Sequence, residues 1–578
     1  MITNNIKKVI AGASCLLVCA TPSLLLTSCG DFLEIEAQNE ITLEQFWKEK
    51  ADVDNVVAGC YSRLQGSDIV RRMMIWGEFR SDNVGIGNFI NEDINLEKVL
   101  NENLDASNAY TAWDGFYNVI NRCNTVLLYA PQVAEKDPAF TPEELRATVA
   151  EVSALRDLCY FYLIRTFRDV PLMKEAIIDD NQNITVPATS FEEVLDFLIS
   201  DLESVKDDAR PKYPATKPYY QTGRITQDAV KAMLCEMYLW KGDYQNCVKY
   251  ADEVIQSKKE QAKDNPSKTS MMTSSADNLK RVGTYPIISD AIDNKTYGAA
   301  YQSIFGTGNS SESIFELVYT KNSGTSMLSN EAVNAFYGYA GTKRYAAPSS
   351  VLIETKTTPY QNKYDARQYE NLSVSDEMIT KYMLQSIRIK ANDRNSEPTT
   401  SDKAYYTRDL NKSNWVIYRV SDIMLLKAEA LAEMLREGDD EATKASNKPY
   451  LQEAFTLVNT VNKRSLAEWP MVDTLVWSEN MSKSEMQELV MTERQRELMF
   501  EGKRYFDLVR QARRLGESKT LAQTVSAKQS SGGGYVQNKL SKMDAIYWPY
   551  HLDEIKVNPS LVQNPAFGSG ENQSYTKN

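Results

Sequence analysis

The sequence is almost without histidine, since His551 is the only one among 578 residues. Ser-His-Asp and Cys-His catalytic sites would have to rest on that residue. A zinc site would have one imidazole ligand and no Cys-x-x-Cys pair beside it. Because His551 follows Trp548-Pro549-Tyr550, we expect it to be a turn residue and not a base. Most hydrolytic chemistry is therefore excluded.

An excess of positive charge is also missing. The chain has 65 Lys and Arg against 78 Asp and Glu, a formal net charge of −13. Proteins that bind nucleic acid need a dense cationic surface to neutralise phosphates, and the sequence indicates no such face. With 42% apolar residues the composition is that of a soluble globular protein of two to four domains or one large helical array. We expect no nucleic-acid partner.

Long apolar runs occur only at the N-terminus. Lys7 and Lys8 precede an apolar run over 9–26, and Leu26-Thr27-Ser28-Cys29 follows. Small residues before a cysteine resemble the lipobox at which bacterial lipoproteins are cleaved and acylated. A plain signal anchor is the alternative, because a run of about 20 apolar residues could span a bilayer. We predict a lipoprotein signal over 1–28 and lipidation of Cys29.

The cysteines do not form a disulfide pattern. Five remain in the chain after Cys29, and each lies within a helical apolar pattern: Cys60, Cys123, Cys159, Cys235 and Cys247. We expect small buried thiols, although an oxidising compartment would permit one bridge.

Apolar residues recur at three- and four-residue steps along much of the chain, which predicts amphipathic helices. Such stripes cover 113–127, 149–162 and 191–205, and Ser190 with Glu193 predicts a capping box at the start of the last. A helix pair is predicted on either side of the turn Gly242-Asp243-Tyr244, and a second over 422–461. The first pair resembles a tetratricopeptide repeat, with Cys235 and Cys247 at the positions where that repeat places small residues.

The pattern changes over 257–413, which is rich in Ser, Asn, Thr, Gly and Tyr and has only short strand-like pieces such as 313–319. Long irregular insertions are usually functional or disordered. Disordered tracts are aromatic-poor, so the tyrosines favour a functional segment. The glycines of 530–534 predict one further flexible loop.

Ordered motifs along the chain resemble the SusD/RagB family of outer-membrane nutrient-binding lipoproteins. These motifs are Trp76-Gly77-Glu78, Ser81-Asp82-Asn83, Asn121-Arg122-Cys123-Asn124, Phe167-Arg168-Asp169-Val170-Pro171, the run from Glu493 to Leu508, Trp548-Pro549, Asn558-Pro559 and Asn564-Pro565. A departure occurs at Arg168, where the family usually has Gly, so the geometry of that turn is left open.

The resemblance implies a mainly α-helical fold of tetratricopeptide-like hairpins, with helical parts over 29–256 and 414–578 and an irregular ligand-binding region over 257–413. It implies a lipid-anchored protein at the outer membrane, exposed on the cell surface, which covers a TonB-dependent transporter of the SusC type. It implies no cofactor and no metal. The expected ligand is an oligosaccharide, and a peptide, as in a RagB-like uptake system, is the alternative.

The family builds its ligand site from the loop after the Ser-Asp-Asn motif and from the inserted region. Transferred to this sequence, the predicted glycan-binding residues are Asp82, Asn83, Asn88, Phe89, Asn91, Tyr285, Tyr297, Tyr337, Tyr339, Arg344 and Tyr345. Tyrosine suits a sugar, because its ring stacks on C–H groups and its hydroxyl bonds to water or ligand. Some of these tyrosines could instead pack the insert's own core.

An enzyme is the hypothesis that the sequence favours least. Carboxylates and arginines alternate over 493–507 and could do acid-base work. Their three- and four-residue spacing instead predicts a salt-bridged surface or helix-packing network. No nucleophile elbow or metal cluster accompanies them. We therefore predict no catalytic residue.

Overall fold

Helices dominate the parts of the chain that the computed structural model describes. These parts are 46–179, 181–264, 285–293, 295–319, 329–338, 343–354, 356–390, 399–405, 412–438, 440–467 and 475–568. The mainly α-helical fold class is confirmed. Within these ranges no helix combines the length and the hydropathy that crossing a bilayer requires. The predicted lipidation site, Cys29, lies outside the described residues.

The helices, in chain order, are α1 (Lys50–Leu64), α2 (Ser67–Met74), α3 (Ile94–Leu100), α4 (Asp114–Lys136), α5 (Pro142–Phe167), α6 (Phe191–Val205), α7 (Tyr220–Gly223), α8 (Gln227–Lys241), α9 (Tyr244–Asp264), α10 (Ala299–Tyr301), α11 (Glu331–Tyr337), α12 (Ser350–Ile353), α13 (Arg367–Glu370), α14 (Val420–Glu433), α15 (Glu441–Arg464), α16 (Lys483–Leu498), α17 (Arg504–Leu515), α18 (Lys519–Ser526), α19 (Gly533–Leu540) and α20 (Leu552–Val557). A π-helical turn, Ile75–Phe79, continues α2.

The long helices pack side by side in an array. Helix α1 packs on α4, α4 on α5, α5 on α6, α6 on α8 and α8 on α9, and the series continues from α9 through α14 and α15 to α16. Their buried faces are the predicted apolar stripes, and Ser190 and Glu193 form the predicted capping box. Trp47–Asn578 forms one unit, so the helices on either side of the inserted region share a single array.

The predicted hairpin of α8 and α9 is confirmed. Gly242 ends α8 at φ +82°, in the left-handed region that glycine adopts without strain. Cys235 and Cys247 face each other with their Sγ atoms 3.6 Å apart. Cys60, Cys123 and Cys159 are free and buried, as are these two. The small side chains let the two helices approach closely.

The strands are short and antiparallel. They are β1 (Val84–Ile86), β2 (Val170–Pro171), β3 (Ala188–Thr189), β4 (Thr296–Tyr297), β5 (Ser313–Leu317), β6 (Ala346–Pro348), β7 (Leu372–Ser373), β8 (Met378–Ile379), β9 (Leu384–Lys390), β10 (Thr399–Tyr405) and β11 (Trp415–Arg419). They pair as β1 with β6, β2 with β3, β5 with β11, β7 with β8, and as a sheet in the order β10-β9-β4. Strand β5 confirms the strand predicted from 313.

The prediction of a flexible loop over 530–534 is wrong in its second half, because Gly533 and Gly534 form the first turn of α19. Gly532 precedes that helix at φ +76° and turns the chain into it. The expectation for His551 is confirmed. It precedes α20 as its N-cap, and its Nδ1 accepts the amide of Asp553 at 3.2 Å.

The charged run of α16 forms a network inside the protein. Glu497 contacts Arg367, Arg419 and Arg464, and all four side chains are nearly inaccessible to solvent. These arginines outweigh the opposing effect of burial and lower the pKa of Glu497 well below its usual range. The predicted helix-packing network is present, and it joins α16 to α13, β11 and α15.

Candidate ligand-binding surface

The Trp-Gly-Glu motif joins the segment after α2 to the turn between α16 and α17. The Glu78 carboxylate accepts hydrogen bonds from the backbone amides of Phe500 at 2.9 Å, Gly502 at 3.0 Å and Lys503 at 3.1 Å. It also accepts Asn83 Nδ2 at 2.7 Å. Burial raises the pKa of Glu78, and these donors oppose the rise. The motif therefore fixes the turn that leads into α17.

The Ser-Asp-Asn motif is part of the same joint. Asp82 accepts hydrogen bonds from Arg504 Nε at 2.9 Å and from Gln495 Nε2 at 2.9 Å. Asn83 accepts a second bond from the same Gln495 amide at 2.8 Å. Both side chains are buried. Asp82 and Asn83 therefore fix the residues just before β1 to Gln495 and Arg504. They present almost no surface to a ligand.

Strand β1 follows this motif and pairs with β6, forming a two-stranded ribbon in which Val84 lies opposite Pro348. Two loops continue the pairing beyond the strands. The amide of Gly87 donates to the carbonyl of Tyr345 at 3.1 Å, and the amide of Phe89 donates to the carbonyl of Arg344 at 3.0 Å. The loop after β1 is thus held against the segment before β6.

These two loops form one surface, which we name the ribbon surface: Asn88, Phe89, Asn91, Lys343, Arg344 and Tyr345. Asn88 Oδ1 accepts the amide of Arg344 at 3.1 Å, which fixes the two loops to each other. Asn88 and Asn91 are exposed, and the rings of Phe89 and Tyr345 are half-buried. Five residues that the sequence singles out as binding residues are thereby brought together: Asn88, Phe89, Asn91, Arg344 and Tyr345.

Lys343 spans the edge of this surface. Its Nζ lies 2.7 Å from Glu92 Oε1 and 5.1 Å from the centroid of the Phe89 ring. Hydrogen bonding to Glu92 raises the pKa of Lys343. Because both members of the ion pair are exposed, water and salt screen it, and a ligand can displace it at little cost.

The remaining predicted tyrosines lie elsewhere. Tyr285 is half-buried, with Lys259 of α9 4.9 Å from its ring. Tyr297 belongs to β4 and is buried in an apolar cluster with Ile387. Tyr337 is buried, stacked on Tyr382 at a centroid distance of 5.8 Å. The rings of Tyr297 and Tyr337 are thus core residues, in agreement with the alternative that some of the tyrosines pack the insert's own core. Tyr339 lies outside the described residues.

Sequence reasoning missed Lys343 of this surface and the β7–β8 turn beside it. Strand β8 packs beside β6, and the turn between β7 and β8 brings Asp376 within 3.5 Å of Arg344. The run Ser373-Val374-Ser375-Asp376 could have indicated the β7–β8 turn, because its small polar residues are typical of a hairpin turn.

The ribbon surface combines apolar ring faces with exposed amide groups. Half-buried rings offer flat apolar faces, and exposed amides offer both donors and acceptors. Over the described ranges no three His, Cys, Asp or Glu side chains cluster in a way that could hold a metal ion. The acidic run of α16, the one catalytic alternative in the sequence, is buried and paired with arginine.

Two family models match the chain. The model described as the SusD family matches residues 287–567. The model described as "Starch-binding associating with outer membrane" matches residues 31–239. The two loops of the ribbon surface fall one within each match.

Similar proteins share the length and the fold. The SusD-like protein P38 of Formosa agariphila is 26% identical over 577 residues, covering 94% of this chain and 96% of that protein. A solved SusD superfamily structure from Bacteroides vulgatus has a TM-score of 0.61 at 18% identity and covers 90% of this chain and 100% of its own. A laminarin-binding SusD-like protein has a TM-score of 0.57 at 18% identity, with 90% and 100% covered. At these identities the structural matches show a common fold.

Proposed function

This chain belongs to the SusD family, and on that premise we propose that it binds an oligosaccharide at the ribbon surface. The observation that carries the proposal is the meeting of two loops from distant parts of the chain. Together they expose the amides of Asn88 and Asn91 beside the rings of Phe89 and Tyr345. A sugar needs both kinds of group, because its C–H faces stack on rings and its hydroxyls bond to amides.

The other predicted binding residues take supporting roles in this proposal. Asp82 and Asn83 fix the start of β1 in place through their hydrogen bonds to Gln495 and Arg504. Tyr297 and Tyr337 pack the interior that carries the β4 and α11 segments. Binding without cleavage is proposed, since the ribbon surface brings no acid-base pair to the ligand.

Calorimetry with the mature chain against neutral polysaccharides and peptides tests this proposal. Stacking on one ring contributes about 0.5–1.5 kcal/mol beyond area burial. Phe89→Ala should therefore weaken binding a few-fold, and Phe89→Ala with Tyr345→Ala should abolish it. Tyr219→Ala, which removes an exposed tyrosine elsewhere, serves as the matched control and should bind like wild type.

Three results would count against the proposal. Wild-type affinity in the double variant would mean that the site lies elsewhere. Binding of peptides alone would favour a RagB-like peptide-uptake protein, and release of sugar products by the purified protein would favour an enzyme.

We further propose that lipidated Cys29 anchors the protein at the outer membrane, where it delivers the oligosaccharide to a SusC-type TonB-dependent transporter. The lipobox-like residues before Cys29 and the family membership support this. Palmitate label should enter the wild-type chain but not Cys29→Ser. A tagged full-length chain should recover a TonB-dependent barrel from solubilised outer membranes, and recovery of the chain alone would contradict the partnership.

A further inference from the structure

One guanidinium on the ribbon surface has no ion-pair partner among the described residues. Arg344 keeps 9% of its surface exposed, so it is nine-tenths buried. Its Nε and Nη1 atoms make no hydrogen bond within that part of the chain. Its Nη2 lies 3.5 Å from the backbone carbonyl of Asp376, at the upper limit of a hydrogen bond. The charge of Arg344 therefore lacks an ion pair in the described ranges, and only the more distant carboxylates of Asp376 and Glu377 attract it.

Other buried arginines of the described ranges have their charge balanced by a carboxylate in direct contact. Arg367 lies 2.7 Å from Glu493, Arg494 lies 2.9 Å from Asp507, and Arg80 lies 2.8 Å from Glu102. An arginine stays charged at any pH that a protein tolerates, and a buried charge without a partner destabilises the fold. Arg344 departs from this pattern at the very surface that holds the candidate ligand site.

The acidic residues that attract Arg344 are Asp376 and Glu377, and neither forms an ion pair with it in the described part of the chain. Other donors engage Asp376 and the nearby Glu92. The Asp376 carboxylate accepts Ser373 Oγ at 2.6 Å, and that of Glu92 accepts Lys343. Lys403 is half-buried and is attracted to Asp376, while burial lowers its pKa. A second cation thus lies near the same turn.

We infer that the ligand of the ribbon surface is an anionic glycan, whose carboxylate or sulfate accepts hydrogen bonds from the Arg344 guanidinium. The inference rests on the proposed function and names its substrate class. The anionic group replaces the long contact from Arg344 to the Asp376 carbonyl, and the adjoining sugar ring lies against Phe89. Planar guanidinium donors match the oxygens of both groups.

The charge of the whole chain makes this inference testable. With a net charge of −13, the long-range field of the protein repels a polyanion and provides no general attraction. A preference for an anionic polysaccharide over its uncharged counterpart therefore reports a short-range contact.

The experiment uses two matched pairs of probes, polygalacturonate with its methyl ester and dextran sulfate with dextran. The first pair tests a carboxylate and the second a sulfate. Wild type should bind one anionic member at least 10-fold more tightly than its neutral partner. Arg344→Met should weaken that binding about 10- to 100-fold, because a charge-assisted hydrogen bond is lost. Arg344→Lys should retain part of the preference, and Lys212→Met, which removes an exposed positive charge elsewhere, should retain all of it.

A second measurement needs no ligand. Because Arg344 is buried without an ion pair in the described part of the free protein, Arg344→Met keeps the aliphatic packing and removes a poorly compensated charge. The melting temperature of the unliganded variant should rise by ~1–2 °C. A fall would show that Arg344 has a structural partner and would overturn the inference.

The outcomes separate this inference from the proposed function. If wild type binds neutral glycans, Phe89→Ala weakens that binding, and wild type binds both members of each probe pair equally tightly, the ribbon surface binds glycans but the anionic class is wrong. If neither the neutral nor the anionic glycans bind, the proposed function fails and the inference fails with it.

Discussion

Replacing Gly77 by alanine should disrupt the joint between the Trp-Gly-Glu motif and the turn that leads into α17. A Cβ atom at position 77 would lie 1.9 Å from the carbonyl oxygen of Gly502 and 2.5 Å from its carbonyl carbon. Ordinary C···O contacts are about 3.3 Å or longer, so the two backbones would have to separate by roughly 1.4 Å. Neither contact atom belongs to a flexible side chain that could move aside.

The segment that would have to move is held on its other side. A Cβ atom at Gly502 would itself lie 3.0 Å from the Trp415 ring and 3.1 Å from the Met73 carbonyl, so little free space surrounds this turn, and Phe500 and Gly502 both have positive φ. The amides of this turn are bonded to Glu78. Overpacking costs about 1–3 kcal/mol, and the loss of one hydrogen bond to a buried carboxylate adds about 1.5–3 kcal/mol. We expect Gly77→Ala to lower the free energy of unfolding by roughly 3–6 kcal/mol.

Urea denaturation of the mature chain measures this loss, with Gly534→Ala as the matched control. Gly534 lies in α19, and no heavy atom lies within 4 Å of the place that a Cβ atom would occupy there. That variant should be unchanged or more stable by about 0.5–1 kcal/mol, because alanine favours the helix. Equal unfolding midpoints for the two variants would refute the argument that the close approach of the backbones limits stability.

Three further predictions concern other parts of the fold. Cys235→Leu or Cys247→Leu should overpack α8 against α9 and cost roughly 1–3 kcal/mol, seen as a lower urea midpoint than the corresponding alanine variant. Burial alone would raise the pKa of Glu429, but the arginines around it lower that pKa to about 2. Its stabilisation should thus be complete above about pH 5 and lost as the pH falls through about 2, so the gap in unfolding free energy between wild type and Glu429→Gln should shrink by on the order of 3 kcal/mol. A constant gap would contradict this. Lys528 donates to the carbonyls of Phe79 and Val84, and Lys528→Met should speed amide exchange in β1, where wild-type protection would contradict the assigned role.

The parts of the fold that the sequence predicts depend on neighbours a few residues apart. The capping box of Ser190 and the turn at Gly242 are complete within one or two helical turns, so periodicity and capping rules suffice. The juxtaposition of Phe89 and Arg344 came from resemblance to a family, because nothing local links residues so far apart. Their backbone contact exists only after β1 and β6 pair.

The burial of particular site residues could not be predicted. Asp82 and Asn83 are polar and follow a helix, so the sequence does not separate an exposed site from a buried joint. Their partners, Gln495 and Arg504, lie more than 400 residues later. Tyr337 ends a helix of only seven residues, in which Val333 and Phe336 form too short an apolar pattern to predict a core helix. Its stacking on Tyr382 is a tertiary contact that the sequence does not reveal.

The joint at Glu78 also determines the order in which the protein can mature. Ribosomes and export channels deliver a chain from its N-terminus, and Glu78 emerges more than 400 residues before the amides that it accepts from Phe500 and Gly502. Arg80 likewise cannot donate its hydrogen bonds to the carbonyls of Ala545 and Ile546 until those residues have emerged. Contacts of such high sequence separation form late. The helical array can start to assemble early. The residues that lead into β1 cannot form these hydrogen bonds until nearly all of the polypeptide has been delivered.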